Sequence, residues 1–350
     1  MLWPANPDKS LRIFMLPEHA FQPQGLIANA HVQSLMTSGP WRKRVVTQRA
    51  RGYLERSEPE VWRADDGTRL LGYRNRPVTG QASGSGQGQA LVILIHGWEG
   101  SANSNYLLSA ADTLDRAGLA TFRLNLRDHG ESHHLNVGLF HSCLLFEVLD
   151  VVGKIAADWR ATHGDVPVYL VGFSLGGNFT LRIARRAAEV DLHLTHAIAI
   201  SPVIRPIHVM DALENGPFVY HQYFVRKWRR SLKTKQALFP NEYDFAPWFE
   251  YKRLSQQTEW LIGHYTDFPS VRDYLEGYSV AGDYLAGMET PTTILTSEDD
   301  PIIPASDFAQ LPLSDRLQLS IQKKGGHCGF IESWQMDCWV ERWLVDRLAN

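Results

Sequence analysis

A serine between two glycines is the residue of this sequence best suited to do chemistry. The segment Gly172–Gly176 has the form G-x-S-x-G, and it follows the apolar run Val166–Val171. Beyond it, apolar residues recur at helical spacing over Asn178–Arg186. A strand that turns sharply into a helix at such a pattern holds its serine on a strained backbone, with the hydroxyl exposed. The sequence therefore predicts that Ser174 is a nucleophile that forms a covalent acyl intermediate.

A serine hydroxyl needs a histidine to take its proton and an acid to orient that histidine. In the chain order serine, acid, histidine, the histidine comes last. Of the 14 histidines, His327 alone follows the last predicted core strands. It lies in the glycine-rich segment Lys324–Phe330, between the final strand and the final helix, from which it can reach Ser174. The alternative interpretation is a surface-loop histidine without a catalytic role.

Three carboxylates compete for the role of the acid, and all follow the predicted strand Thr292–Thr296. We favour Asp300, because the Pro-Ile-Ile-Pro segment that follows fixes the loop and leaves this residue at the turn. Asp299 is the second candidate and Glu298 the third. If the segment is only a solvated acidic loop, the histidine lacks an orienting partner.

The oxygen of a tetrahedral intermediate needs two backbone N–H donors. One is expected from Leu175, directly after the nucleophile, and the other from the loop after the strand Leu91–Ile95. In that loop we assign the second donor to Trp98. His96 precedes the serine in sequence, so we expect it to brace the loop instead of acting as the base.

The elements that must position these residues alternate between strand-like and helix-like segments, which predicts a mostly parallel sheet covered by helices. We expect a hairpin at Glu60–Asn75, further strands at Leu91–Ile95, Leu119–Leu126, Val166–Val171, Thr195–Ile200, Thr290–Thr296 and Arg316–Ile321, and helices at Ser104–Ala117, Phe146–Arg160 and Trp334–Leu348. The Gly-, Ser- and Gln-rich segment Val78–Gln89 is predicted to be a surface loop within one domain.

At 350 residues the chain exceeds one ordinary core, so an insertion or a second domain is expected. Residues 203–288 are rich in aromatic residues and show no clear strand, which predicts a helical cap. The remaining residues, 1–202 and 289–350, would then form an α/β core with an N-terminal arm at 1–58.

Composition sets broad limits on function. Hydrophobic residues make up 44% and charged residues 21% of the chain, as in soluble globular proteins. The net charge of −3 gives no general attraction to nucleic acid. Three cysteines without metal-site spacing are typical of a reducing compartment. With no signal peptide at the N-terminus and no aliphatic run long enough to span a bilayer, we expect a cytoplasmic protein.

The sequence resembles the YheT-like branch of the α/β-hydrolase superfamily, which is related to mammalian abhydrolase-domain lipases. Five segments carry the resemblance, namely Asn29–Leu35, His96–Tyr106, Gly172–Asn178, Glu298–Pro301 and Gly325–Phe330. It implies an α/β-hydrolase fold, into which the predicted helical cap would be inserted, and a triad of Ser174, Asp300 and His327. It also implies esterase or lipase-type activity without a cofactor. The segment Asn125–Ser132 departs from the plainer Arg-Gly-containing loop of the family, and we expect its Asp128 and His129 to change the polar rim of the pocket.

The leading hypothesis is a carboxylic-ester hydrolase that acts on a small-molecule or lipid ester, without nucleic acid or a metal ion. An acyltransferase that uses the same acyl-enzyme and a non-catalytic binding protein on the same fold stay open as alternatives. For the aromatic residues of the cap, packing is favoured over an acyl-chain groove. For the basic residues between Arg226 and Lys235, a solvated helix face is favoured over contact with a membrane surface.

Overall fold

The computed structural model describes residues 20–77 and 90–349, and in these ranges eight strands form one sheet in the order β1-β2-β4-β3-β5-β6-β7-β8. The strands are β1 (Glu58–Arg63), β2 (Arg69–Asn75), β3 (Leu91–Ile95), β4 (Ala120–Leu124), β5 (Val168–Phe173), β6 (His196–Ile200), β7 (Thr292–Ser297) and β8 (Leu317–Gln322). β2 pairs antiparallel with β1 and β4, and all other neighbours are parallel. The predicted mostly parallel sheet is confirmed.

Helices cover both faces of the sheet. They are α1 (Ala30–Ser38), α2 (Pro40–Arg49), α3 (Arg51–Glu55), α4 (Asn105–Arg116), α5 (Leu145–His163), α6 (Leu175–Arg186), α7 (Pro206–Asn215), α8 (Phe218–Leu238), α9 (Leu254–Tyr265), α10 (Val271–Glu276) and α11 (Trp339–Leu348). In the described part of the chain, none of these helices is both long and apolar enough to cross a membrane.

The core lies on both faces of the sheet because the central strands are buried on both sides. In β3, Leu91, Ile93 and Ile95 belong to one apolar cluster, while Val92 and Leu94 belong to the other. Successive side chains of a strand point to opposite faces, so a strand covered on both faces reads as a continuous apolar run. This burial fixes the strands whose ends carry the polar residues described below.

The predicted elements agree with the structure except near the C-terminus. The hairpin β1–β2 is confirmed, with Gly67 at a φ of 88° in its turn. The last helix begins at Trp339 and not at Trp334, so that part of the prediction was wrong. The intervening chain instead forms an antiparallel bridge between Ile331 and Cys338. The predicted loop Val78–Gln89 and residues 1–19 of the predicted arm lie outside the described residues.

Helices α7, α8, α9 and α10 all lie between β6 and β7 in the chain. Part of this segment has its own apolar cluster, which includes Leu232, Phe245, Trp248 and Leu261. The segment therefore packs around a small core of its own as well as against the main core.

Candidate active site

The polar residues singled out in the sequence follow strands that run parallel to one another. Ser174 follows β5, Asp300 follows β7 and His327 follows β8, while the loop from His96 to Gly100 follows β3. Carboxyl ends of parallel strands meet at one edge of a sheet, where α/β proteins form their ligand sites. The topology thus brings residues that are distant in sequence to the same edge.

The backbone at Ser174 is strained, as expected for a nucleophile elbow. Its φ of 54° and ψ of −118° are rarely adopted by residues with a side chain. Two glycines allow the close approach of strand and helix. A Cβ atom at Gly172 would lie 2.1 Å from the carbonyl oxygen of Gly176, and one at Gly176 would lie 2.3 Å from that of Ile95. Larger residues at either glycine would force the elbow apart.

The three predicted triad residues are in contact. The distance from His327 Nε2 to Ser174 Oγ is 2.9 Å, and that from His327 Nδ1 to Asp300 Oδ2 is also 2.9 Å. The other oxygen of Asp300 accepts hydrogen bonds from the N–H groups of Ile302 and Ile303, at 2.8 and 3.0 Å. These backbone donors hold the carboxylate in the orientation that meets the imidazole.

The two competing carboxylates lie elsewhere. Asp299 Oδ1 accepts a hydrogen bond from the N–H of Gly326 at 3.0 Å, and the side chain of Glu298 is exposed to solvent. Asp299 therefore supports the loop that carries the histidine, while the contact with the imidazole belongs to Asp300.

The electrostatic environment favours a charged His327. Burial by itself lowers the pKa of the imidazole, but the negative charge of Asp300 and the neighbouring Cys328 outweigh it and hold the pKa well above 6.5. The pair can therefore stabilise a positive charge on the imidazole when it takes a proton.

The two predicted oxyanion donors lie next to the serine. Gly97, directly before Trp98, passes so close to the serine that a Cβ atom at Gly97 would lie 3.0 Å from the Cβ of Ser174. The N–H of Gly97 donates to the Tyr106 hydroxyl at 2.9 Å, which holds the loop in this position. Trp98 and Leu175 line one cavity together with the serine. Within residues 20–77 and 90–349, neither of their N–H groups donates a hydrogen bond to another protein group. Both donors are thus available for a negatively charged oxygen.

His96 braces the loop after β3, as the sequence analysis expected. Its Nε2 accepts the N–H of Leu126 at 3.2 Å, so its Nδ1 carries the proton and donates to the carbonyl of Gly97 at 2.7 Å. Burial lowers the pKa of His96 to about 4, which keeps the ring neutral. Both ring nitrogens therefore contact backbone groups, and neither contacts Ser174.

Asp128 and His129 are buried and line a polar cavity beside this loop, not either of the two cavities that contain Ser174, so the expected change to the pocket rim is not observed. Asp128 pairs with the buried Lys235 at 2.7 Å, and His129 Nε2 accepts the N–H of Glu99 at 3.1 Å. The expectation of a solvated helix face was therefore wrong for Lys235. Its ammonium also donates to the carbonyl of Gly138 at 3.1 Å, which ties α8 to the core.

The aromatic side chains in the segment 203–288 have two different roles. Trp248 is buried in the separate apolar cluster, in the packing role that the sequence analysis favoured. Phe224 and Trp228 instead line the cavity beside Ser174. The indole of Trp98 stacks on Phe224 with a centroid distance of 5.3 Å and meets Trp228 edge-on at 5.2 Å. These rings form an apolar wall next to the serine.

The sequence analysis did not identify Gln33 and Ser34 as residues that support the site. Ser34 Oγ accepts the backbone N–H of His327 at 2.8 Å. The amide of Gln33 donates to the carbonyl of Ile331 and accepts its N–H, both at 2.8 Å. Both belong to the motif segment Asn29–Leu35, and this motif was the sequence feature from which a supporting role could have been predicted. Helix α1 thereby holds the loop that carries the histidine.

The sequence predicts that His327 is a general base for ester hydrolysis, and on that prediction Ser34→Ala is expected to lower kcat by about tenfold, because a misplaced base loses catalytic efficiency. The loss is expected mainly in kcat, because the hydroxyl of Ser34 accepts the backbone N–H of His327 and so fixes the position of the imidazole. The exposed Thr162, whose hydroxyl donates to the carbonyl of Asp158, gives a matched control as Thr162→Ala. Steady-state kinetics that show equal losses in the two variants would contradict this role.

The sequence profile of the family described as the alpha/beta hydrolase fold matches residues 90–333. The chain belongs to the α/β-hydrolase family. The match begins just before β3 and ends before α11, so it includes every strand end that carries the candidate site.

Solved structures with the α/β-hydrolase fold resemble this chain at low identity. A 2,6-dihydroxy-pseudo-oxynicotine hydrolase is 20% identical with a TM-score of 0.55, and the alignment covers 86% of this chain and 70% of that one. An esterase of Pyrococcus furiosus is 14% identical with a TM-score of 0.53, and the alignment covers 84% and 91%. At such identities the likeness establishes the fold alone. No curated protein matches the sequence significantly.

Proposed function

We propose that this α/β-hydrolase cleaves carboxylic esters through an acyl-enzyme on Ser174. The observation that carries the proposal is the pair of 2.9 Å contacts that link Ser174 Oγ through the imidazole of His327 to Asp300. A serine, a histidine and a carboxylate in this arrangement form the set that activates a hydroxyl for acyl transfer.

In the proposed reaction, His327 takes the proton of Ser174 as Oγ attacks the ester carbonyl carbon. The N–H groups of Trp98 and Leu175 bind the oxygen that becomes negative, while Asp300 stabilises the imidazolium. His327 then gives its proton to the alcohol oxygen as the C–O bond breaks, and the alcohol leaves. A water molecule, deprotonated by the same imidazole, then attacks the acyl carbon. The bond from this carbon to Ser174 Oγ breaks, His327 returns the proton to Oγ, and the carboxylic acid leaves.

We propose further that residues 203–288 act as a cap over the serine, inserted into a core of residues 1–202 and 289–350. In support, helices α7, α8, α9 and α10 all contribute side chains to the cavity that contains Ser174. The cap residues that line it are mainly apolar, among them Val209, Met210, Leu213, Leu261 and Ile262. Such a lining favours an apolar acyl group.

The finer assignment to the YheT-like branch is also a proposal. It is supported by the five motif segments of the sequence, of which one contains Ser174 and three lie in the loops around it. The fifth, Asn29–Leu35, contains the residues that hold the His327 loop.

A fluorophosphonate probe tests the proposed nucleophile directly. We expect stoichiometric labelling at Ser174 in the folded protein, located by peptide mass spectrometry, and a burst of 4-nitrophenol from 4-nitrophenyl hexanoate that matches the enzyme concentration. Urea-unfolded protein is the control and should remain unlabelled, because an isolated serine hydroxyl is a weak nucleophile. Labelling at another residue, or no labelling with no hydrolysis, would contradict the proposal.

A further inference from the structure

Two cavities meet at the candidate nucleophile. Both are lined by Ser174, Trp98 and Phe224, so the stacked rings of Trp98 and Phe224 lie between them. The first cavity is also lined by Leu175 and the apolar cap residues, but not by His327. The second contains His327. An ester bound at the serine can therefore place its two halves in different cavities.

The proposed chemistry determines which cavity holds the alcohol part of the ester and which holds the acyl part. The alcohol oxygen of the ester receives its proton from His327, so it must lie beside the imidazole when the C–O bond breaks. The alcohol part of the substrate therefore extends into the second cavity. The acyl part remains for the first, apolar cavity, which agrees with its lining.

The second cavity continues into a polar one, which we call the basin. The two share Ser104, Tyr223 and Lys227 among their lining residues. The basin has a volume of about 660 Å³, which is ample for a charged head group. Its cationic residues are Lys43 from α2 and Lys227 and Arg230 from α8. An alcohol part that passes His327 thus comes next to these three cations.

The acidic residues of the basin do not cancel this positive charge. The carboxylate of Asp128 is paired with Lys235 at 2.7 Å. Burial raises the pKa of Glu99 to about 8, so its carboxyl group is mostly uncharged at neutral pH. Glu131 is exposed at the edge of the basin and accepts a hydrogen bond from the hydroxyl of Tyr73. Lys43, Lys227 and Arg230 therefore outnumber the charged, unpaired carboxylates.

We propose that the basin binds an anionic group on the alcohol part of the substrate. The preferred esters then combine an apolar acyl group with an alcohol that carries a carboxylate or a phosphate. This inference rests on the proposed function, because it uses the direction in which the leaving alcohol departs.

Hexanoate esters of ω-substituted butanol and octanol test the inference. The substituent is a methyl group, a carboxylate, a phosphate or a trimethylammonium group, so the charge changes far from the reacting carbonyl. For at least one tether length, we expect kcat/KM of a carboxylate or phosphate ester to exceed that of the methyl ester by about tenfold at low salt, as a few partly exposed charge pairs allow. The preference should shrink in 0.5 M NaCl, because salt screens exposed charges.

The double variant Lys43→Gln/Arg230→Gln should bring the ratio of anionic to neutral kcat/KM close to one. Lys227 is left intact because its ammonium donates to the carbonyl of Glu99 at 2.9 Å and supports the loop beside Trp98. Lys233→Gln is the matched control, since this lysine is on the same helix but lies 5.5 Å from the ring of Phe249, outside the basin. The control should retain the wild-type ratio.

Equal kcat/KM for anionic and neutral esters in the wild type at both tether lengths would overturn the basin proposal, as would an equal loss of preference in Lys233→Gln. Both results require that the esters are hydrolysed. If Ser174 is labelled by no probe and none of the esters is cleaved, the proposed function fails instead. The two failures are therefore distinguishable.

Discussion

Replacing Ser174 with alanine is expected to lower kcat for ester hydrolysis by about 10⁶-fold, the scale on which loss of a triad nucleophile acts. The variant keeps the oxyanion donors and the cavity but has no atom that can form the acyl-enzyme. It should fold normally, because alanine and serine both carry a Cβ atom and place the same strain on a φ of 54°. Hydrolysis of 4-nitrophenyl hexanoate measures the loss, and thermal unfolding checks the fold.

Ser201 offers a matched control for this prediction. It is also buried, follows the parallel strand β6, and has a φ of 44°. Its hydroxyl accepts the N–H of Cys328 at 3.3 Å and has no contact with the imidazole. Ser201→Ala should therefore retain at least a tenth of the wild-type kcat. If Ser174→Ala retained more than 1% of kcat, the nucleophile would have to be another residue.

Local sequence patterns were enough to find the serine and the histidine whose side chains lie 2.9 Å apart. A serine between glycines at a strand-to-helix junction has one common structural explanation, because only glycine tolerates the 2.1 Å approach at position 172. His327 followed from chain order, since the last strand end lies beside the others in a parallel sheet. The elements were predictable for the same reason: buried strands such as β3 are continuous apolar runs with few alternatives.

The choice between Asp299 and Asp300 was harder, because consecutive residues differ only in the direction of their side chains. The structure separates them through backbone contacts: Asp300 accepts two N–H groups of its own turn, whereas Asp299 accepts the N–H of Gly326. The second contact joins loops 27 residues apart. No spacing rule within either loop predicts it.

Interactions between distant segments account for what the sequence did not predict. The Lys235–Asp128 pair spans 107 positions, and the Ser34–His327 contact spans 293. A lysine in a basic run reads as solvated because most such lysines are, and only the tertiary fold reveals a buried carboxylate opposite it. The same limit applies to the cavities, whose shape depends on how residues 203–288 pack beside Ser174.

Replacing Asp300 with asparagine is expected to lower kcat by about 10⁴-fold. The side-chain amide would donate to His327 Nδ1 and so favour the tautomer that carries its proton on Nε2, which cannot accept the proton of Ser174. The substitution should also shift the pH dependence. Hydrolysis requires a neutral imidazole, so the rate rises with pH through the pKa of His327, and the wild-type midpoint should lie well above 6.5.

The sign of this shift follows from the causes of the raised pKa. Burial lowers the pKa of the imidazole, whereas Asp300 and Cys328 raise it, so removal of the Asp300 charge takes away a cause of the raised pKa. The midpoint of the acid limb in Asp300→Asn should therefore move down, which a pH profile of the residual kcat can measure. Asp299→Asn is the control, because its side chain contacts Gly326 and not the imidazole, and it should lose less than tenfold and keep the wild-type midpoint. A larger loss in Asp299→Asn than in Asp300→Asn would transfer the role of the acid to Asp299.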